Sequence, residues 1–536
     1  MKYPAVPLDD LPYDSNGRLT RARLVEALGG PMVEWQREGR LVFNVFCGSR
    51  LGLDPIYEQV AVELGEAIEA VGACIANGGG MPKEAPHLRN QGLMGASLEK
   101  CSRVYSFVPV LFTLCSGSGS SEGLNPYVFN IKTRDFYERK TAMMLLGDAV
   151  FALPGGIGTI EEALEAIIFG MKKGKTVVFI NTNGVWDHVL RQLKLFQQLN
   201  LLPSSQGNVP LFCEAPTPWR AVSMAVEFAS LRRRFRAANE QVSARRKPDE
   251  SLYAYLQRKP NDLLDPVIEL LSTHGRDWQA VPRVSVIASS HIGLENGDFN
   301  IKAPDLRREI TANGAMLGLE LARHEAALVI TGTDRGQRHT IARAALSRPN
   351  TRIIWVQKDG TVDKPLKVTR KSDREIVLRV AREFEVDRLA EMLGHSFLGN
   401  AGGIHSASRM TGIITREQTG YREFVDQGCP NDFCRSSERL RFHVYSPLVG
   451  DNVDLFSGFH QQLAVCNREG FYGDRDLKDL IHIATDARDL ATKAVEEGEK
   501  RNGERDPILP LFQAARRPPV RTLHSFAELA ACKVGG

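Results

Sequence analysis

Residues 41–80 read LVFNVFCGSRLGLDPIYEQVAVELGEAIEAVGACIANGGG. The apolar run that begins at Leu41 stops at Cys47, Gly48 and Ser49, the pattern of a buried strand delivered into a tight turn. Behind it, Val60, Leu64, Ala67, Ile68 and Val71 recur at helical spacing, and ACIAN then runs into Gly78, Gly79 and Gly80 as a second strand stopped by glycines. Strand, helix and strand in that order form a βαβ unit, whose crossover makes the two strands parallel. The alternation continues. GLMGASLEKCSRVYSFVPVL from Gly92 reads as a glycine-opened helix and a third strand. DAVFAL (148–153) and KTVVFIN (175–181) supply two more, with TIEEALEAIIFGMKK (159–173) as the helix between them. The expected fold class is α/β: a Rossmann-like, doubly wound parallel sheet that binds ligands outside the carboxyl ends of its strands.

The whole chain is longer than this unit needs. Its 536 residues exceed the roughly 250 to 300 at which one hydrophobic core stops growing. The sequence divides into an N-terminal extension (1–39), the α/β unit (40–235), a basic linker and helix (236–279), a second region (280–415) and a C-terminal region (416–536) that carries no decodable motif. In the second region PRVSVIASSHIG (282–293) repeats the strand-and-turn pattern, and LGLELARHEAALVITG lies beside LGEAIEAVGACIANGG without a gap, pairing Leu317 with Leu64 and Gly332 with Gly79. A second, diverged Rossmann-like unit without catalytic function is expected there, and GNAGGIHSASRM (399–410) reads as a degenerate echo of the PGGIGT turn at 154–159.

Composition narrows the function classes. With 43% hydrophobic and 25% charged residues the chain is an ordinary globular protein, and a net charge of +4 gives no whole-chain argument for a nucleic-acid partner. The basic run from Arg232 to Lys247 reads as a solvated helix end and linker, with a nucleic-acid or regulatory phosphate contact as the alternative. Nine cysteines without close pairing fit reduced thiols, and the Cys429–Cys434 spacing lacks the second pair a metal site needs. No stretch approaches the roughly 18 uninterrupted apolar residues of a membrane span, and the prolines and acids of MKYPAVPLDDLPYD exclude a secretory leader. A cytoplasmic protein without a membrane partner is expected.

The chemistry concentrates at YERKTAMMLLGDAVFALPGGIGTIEEALEAI, from Tyr137. A strand delivers Pro154, Gly155 and Gly156 to a turn, and Gly158 and Thr159 open a helix. Glycines let backbone approach an anion, and the first N–H groups of a helix have no partner within it and point outward with the dipole behind them. Gly48 and Ser49 after the first strand, and Gly79 and Gly80 after the second, gather at the same sheet edge. Arg139 and Lys140 precede the strand, and Glu161 and Glu162 come after the turn. A ligand bearing both a phosphate and a sugar suits this set: glycines for the phosphate, a carboxylate for the ring.

CGSR, GGG with GLMGA after it, ERK and PGGIGTIEE together resemble the Lonely Guy (LOG) family, phosphoribohydrolases often labelled lysine decarboxylases. The similarity covers roughly residues 40–235. It implies a Rossmann-like fold, usually a homo-oligomer, that hydrolyses the N-glycosidic bond of a nucleoside 5′-monophosphate to free base and ribose 5-phosphate, with no cofactor and no metal. By the same resemblance Arg139 matches the active-site arginine and Glu162 the glutamate of PGGxGTxxE. Gly155, Gly156, Gly158 and Thr159 match the phosphate turn, Lys140 helps to hold ligand charge, and the role of Glu161 is open. Two departures stand out. MPKEAPHLRNQ (81–91) is inserted between the triple glycine and GLMG, where Lys83, His87 and Arg89 could reach a ligand, and SGSGSSEGLNPY (116–127) reads as a lid or a loop tip. The C-terminal half is absent from small family members and makes a regulatory nucleotide plausible. The rival reading is a non-catalytic nucleotide sensor. A lysine decarboxylase would need a pyridoxal phosphate lysine with a supporting acid, which cannot be pointed to here.

Overall fold

A computed structural model describes residues 11–14, 18–78, 81–82, 92–109, 118–119, 128–133, 136–206, 209–233, 241–243, 281–289, 304–359, 366–380, 386, 389–390, 393–400, 402–419, 442–446, 456–471, 481–484 and 486–504. Seven strands form the N-terminal sheet: β1 (Val42–Phe46), β2 (Cys74–Asn77), β3 (Val104–Pro109), β4 (Val128–Thr133), β5 (Ala149–Ala152), β6 (Val177–Ile180) and β7 (Phe212–Ala215). They lie in the order β7-β6-β5-β1-β2-β3-β4, and every neighbouring pair is parallel. The chain steps outward from β1 through β2, β3 and β4, returns to β5 on the other side of β1, and steps outward again. The order therefore reverses between β1 and β5, and a crevice opens outside their carboxyl ends.

The helices are α1 (Ile56–Ala70), α2 (Gly92–Ala96), α3 (Phe136–Leu146), α4 (Ile157–Lys173), α5 (Asp187–Gln198) and α6 (Pro218–Arg233). Every residue of β1, β2, β5 and β6 is buried, as expected for strands covered on both faces. Two strands escaped the sequence reading, β4 and β7, and both are edges. VFNIKT carries Asn130, Lys132 and Thr133, and Glu214 of FCEA is exposed, so neither presents the continuous apolar run of a central strand. Val71, expected on the buried stripe of α1, is 48% exposed, because the helix stops at Ala70 and Gly72 turns away with φ +67°.

The N-terminal extension is tied down. Arg18–Thr20 pairs antiparallel with Gln241–Ser243, inside the stretch expected to be a linker. Thr20 Oγ1 accepts from Arg23 N–H at 3.2 Å and caps the helix Arg21–Leu28. Arg232, expected in a solvated basic run, is buried, with its Nε donating to the Lys173 carbonyl at 3.0 Å. No described helix is long and apolar enough to cross a membrane.

The C-terminal half holds a second sheet: β8 (Arg283–Ile287), β9 (Ala327–Thr331), β10 (Arg352–Lys358), β11 (Leu366–Ser372), β12 (Glu375–Val380), β13 (Ser396–Gly399), β14 (Phe442–Tyr445) and β15 (Ile481–Ala484), in the order β11-β12-β10-β9-β8-β13-β14-β15. All pairs are parallel except the β11–β12 hairpin. Its helices are α7 (Pro304–Arg323), α8 (Gly336–Leu346), α9 (Ile404–Thr419), α10 (Ser457–Arg468) and α11 (Ala487–Glu504). A second α/β unit was expected, and its sheet runs on past residue 415 through β14 and β15. With β11 set aside, its wiring repeats that of the first sheet strand for strand, β8 standing for β1 and β13 for β5. The pairing seen in sequence extends to contacts: a Cβ on Gly65 would strike the Ser97 carbonyl, and one on Gly318 the Ile341 carbonyl. Both glycines let the helix after the next strand pack backbone to backbone.

The two halves share a core. Helix α9 packs on α4 and α10 on α5. Ile404, Ala407, Met410, Phe459 and Leu463 belong to the same buried cluster as Ile160, Leu164 and Leu193.

Candidate active site

The crevice between β1 and β5 is built from glycine turns in close contact. Gly48 N–H donates to the Pro154 carbonyl at 3.0 Å, and Leu93 N–H to the Gly48 carbonyl at 3.1 Å. A Cβ on Gly155 would collide with Thr159 Oγ1, and one on Gly92, at φ +54°, with the backbone of Ser49. Only glycine permits either approach. Gly156 sits at the cap of α4 in extended conformation without a side-chain cap, so the first N–H groups of a 17-residue helix face the crevice. Gly158 is half-buried and Thr159 is buried, its N–H donating to the Gly156 carbonyl at 3.0 Å. Gly48, Ser49, Gly155, Gly156, Gly158 and Thr159 are thus brought to one edge. Gly79 and Gly80 lie outside the described residues, as do Lys83, His87 and Arg89. The insertion does make one described contact, a short antiparallel pairing of Met81–Pro82 with Ser118–Gly119 of the other unusual loop.

Five charged residues join α3 to the first turns of α4. Arg139 Nη2 pairs with Glu162 Oε1, and Lys140 Nζ lies 2.6 Å from Glu161 Oε1 and 2.8 Å from Glu165 Oε2. Neighbours on α3 meet neighbours on α4. Arg139 also lies against Gly78 at the end of β2, where a Cβ would strike its guanidinium. Arg139 is therefore the link between the second glycine turn and the carboxylate.

Electrostatically the pairs differ. Lys140 is 5% exposed. Burial works against its charge, but Glu161 and Glu165 more than offset this and push its pKa up to about 12. Its ammonium is committed within the protein. Glu162 goes the other way: burial raises its pKa above the ordinary glutamate value, helped by Glu161 and Glu165, while Arg139 and Lys140 hold it back. A carboxyl whose ionisation is poised by such opposing effects is suited to acid–base or electrostatic work. Cys47, at the end of β1, has its thiol pushed well up by burial and then by Glu162, which leaves it inert as a nucleophile. Cys429 and Cys434 lie outside the described residues.

Three contributors were not found from sequence. Glu165 comes four residues after Glu161, a helical spacing that would have revealed it. Cys466 and Phe471 come from the other half: Cys466 Sγ donates to the Gly155 carbonyl at 3.1 Å, and a Cβ on Gly48 would lie 2.9 Å from Phe471 Cδ1. No local signal announces a contact across 311 residues.

Fold and site define a Rossmann-like α/β protein with a glycine turn at its topological switch point and, beside it, a buried glutamate paired with a half-buried arginine. A family model described as "Possible lysine decarboxylase" matches residues 106–219. The rice (Oryza sativa subsp. japonica) "Probable cytokinin riboside 5′-monophosphate phosphoribohydrolase LOGL2" is 30% identical over 189 residues, 34% of this chain and 72% of the rice protein. The Arabidopsis thaliana "Cytokinin riboside 5′-monophosphate phosphoribohydrolase LOG3" is 28% identical over 189 residues, 34% of this chain and 81% of that one. The chain belongs to the LOG family. Among solved structures, the Moco carrier protein of Chlamydomonas reinhardtii is 18% identical and covers 36% of this chain and 98% of its own, but at a TM-score of 0.25 it bears on neither fold nor function.

Proposed function

We propose that the N-terminal half hydrolyses the N-glycosidic bond of a nucleoside 5′-monophosphate, releasing free base and ribose 5-phosphate. The observation that carries this reading is the placement of Glu162: buried, held by Arg139, and on the helix whose N-terminus is the Gly155–Gly156 turn. Glu162 lies six residues along the chain from Gly156, about 9 Å along the helix axis, a span comparable to that of ribose 5-phosphate. The phosphate would sit on the N–H groups of the turn and the first turn of α4. Cleavage of the ribosyl bond builds positive charge on the sugar, and an ionised Glu162 beside the ring stabilises that charge and orients the attacking water. Arg139 fixes the carboxylate's direction and carries the compensating charge. The curated relatives are named for cytokinin riboside 5′-monophosphate, which makes a nucleotide of that class the first substrate to offer this chain.

The test is to incubate the full chain with that nucleotide and with AMP, GMP, CMP, UMP and dAMP, and to measure free base and ribose 5-phosphate. Release that is lost in Glu162→Gln, with folding kept, supports the hydrolase. Tight nucleotide binding without release of base from any of them would replace it with the sensor.

A further inference from the structure

The contacts between the halves are those of a symmetric dimer made within one chain. In an isologous interface, residue i of one unit meets j of the other and j meets i. Here equivalent residues of α5 and α10 lie 270 positions apart, and Arg191 Nη1 donates to its own equivalent, Gln461 Oε1, at 3.4 Å. The next pair reciprocates one residue out of register: Gly458 N–H donates to Gln192 Oε1 at 3.0 Å, and the N–H of Val189, the neighbour of the Gly458 equivalent His188, donates to Gln462 Oε1 at 3.2 Å. Both glutamines are buried. The two helices also end alike. Leu201 N–H reaches the Phe196 carbonyl at 2.7 Å and Phe471 N–H the Cys466 carbonyl at 3.0 Å, after Asn200 and Gly470 at positive φ. The segment leaving each helix touches a glycine of the opposite half, at different turns: Leu201 lies against Gly403, after β13, and Phe471 against Gly48, after β1.

The turns correspond too. A Cβ on Gly402 would collide with Ser406 Oγ just as one on Gly155 would with Thr159 Oγ1. Counting on from these glycines, Glu162 corresponds to Arg409. The second half keeps the turn and lacks the carboxylate.

We propose that the C-terminal half acts as a fused second subunit whose task is to complete the N-terminal site, with Cys466 and Phe471 as positioning residues for the Gly155 and Gly48 turns. The Cys466 thiol holds the Gly155 carbonyl. The Phe471 ring closes on Gly48 and packs on Tyr57 with centroids 5.6 Å apart, while Glu469 anchors the same segment through Tyr57 OH at 2.9 Å and, with its carbonyl, Leu53 N–H at 2.9 Å. The inference rests on the hydrolase reading for its turnover readout and on geometry alone for its binding readout.

The experiment uses the full chain. Phe471→Ala, Phe471→Leu, Cys466→Ala, Cys466→Ser and Arg409→Ala are compared by melting, by KM and kcat for nucleotide hydrolysis, and by calorimetric affinity for ribose 5-phosphate. A turn displaced by a fraction of an ångström should weaken ribose 5-phosphate and raise KM on the order of tenfold or more, with kcat changed less. Phe471→Leu and Cys466→Ser, which keep bulk and donor respectively, should recover much of the loss, and Arg409→Ala should leave both readouts unchanged. Should Phe471→Ala not fold, the Cys466 pair carries the comparison. Unchanged KM and affinity in Phe471→Ala and Cys466→Ala overturn the proposal even if hydrolysis is robust, and loss of turnover in Arg409→Ala overturns the division of labour. If wild type binds ribose 5-phosphate but cleaves nothing, the hydrolase reading falls, and weakened binding in the two variants still upholds the positioning role.

Discussion

Glu162 and Lys140 sit one residue from Glu161 and Arg139 respectively, yet burial is offset by ion pairs at Lys140 and prevails at Glu162. Glu162→Gln removes the charge and keeps the shape, so it should lower kcat by about 10²–10³ while Arg139 retains an oxygen acceptor; steady-state kinetics on the purified variant check this. Because burial favours the protonated form of Glu162, less of it is ionised at a given pH than for an ordinary glutamate. A reaction that needs the carboxylate must then rise with pH through a limb lying above the ordinary glutamate value, and a kcat/KM profile placing that limb at or below it would contradict the assignment. For Lys140 we propose a role in stability rather than in holding ligand charge. Lys140→Met leaves Glu161 buried without its cation and should cost about 3–5 kcal/mol, read by urea unfolding, and joining it with Glu161→Gln should restore most of the loss. If Lys140→Met instead keeps its stability and loses only ligand affinity, its charge belongs to the ligand. The sequence displayed the two acids and the two bases but not which acid meets which base, since that depends on how α3 crosses α4.

At the scale of elements, the central strands and α1 were legible because burial on both faces writes a continuous apolar run and burial on one face writes a helical period. Edge strands β4 and β7 were not, because a strand with one neighbour keeps polar residues that erase the signal. The Gly65–Gly318 correspondence was visible as letters, and the structure supplies its cause, a helix backbone lying where a side chain would stand. Substituting valine at Gly318 should therefore destabilise the second half by about 1–3 kcal/mol through overpacking, measurable as a lower melting temperature. The turn at Gly402 was read as a degenerate echo, since the apolar run before it is only SFLG; those four residues are all buried as β13.

At the scale of the molecule, the sequence disclosed a repeat and the structure disclosed its symmetry. Nothing in one half's periodicity foretells that α4 will meet α9, because each helix carries a second apolar side that any neighbour could cover. That face is now filled by the chain's own second half, so association of two chains would have to use a different surface.

The tether that joins the halves has a further consequence. Two separate subunits part company on dilution, whereas linked ones face each other at a local concentration set by the chain rather than the test tube. Turnover per molecule should accordingly stay constant from nanomolar to micromolar protein, and a fall in specific activity at the low end would mean that the working site borrows from a second chain after all.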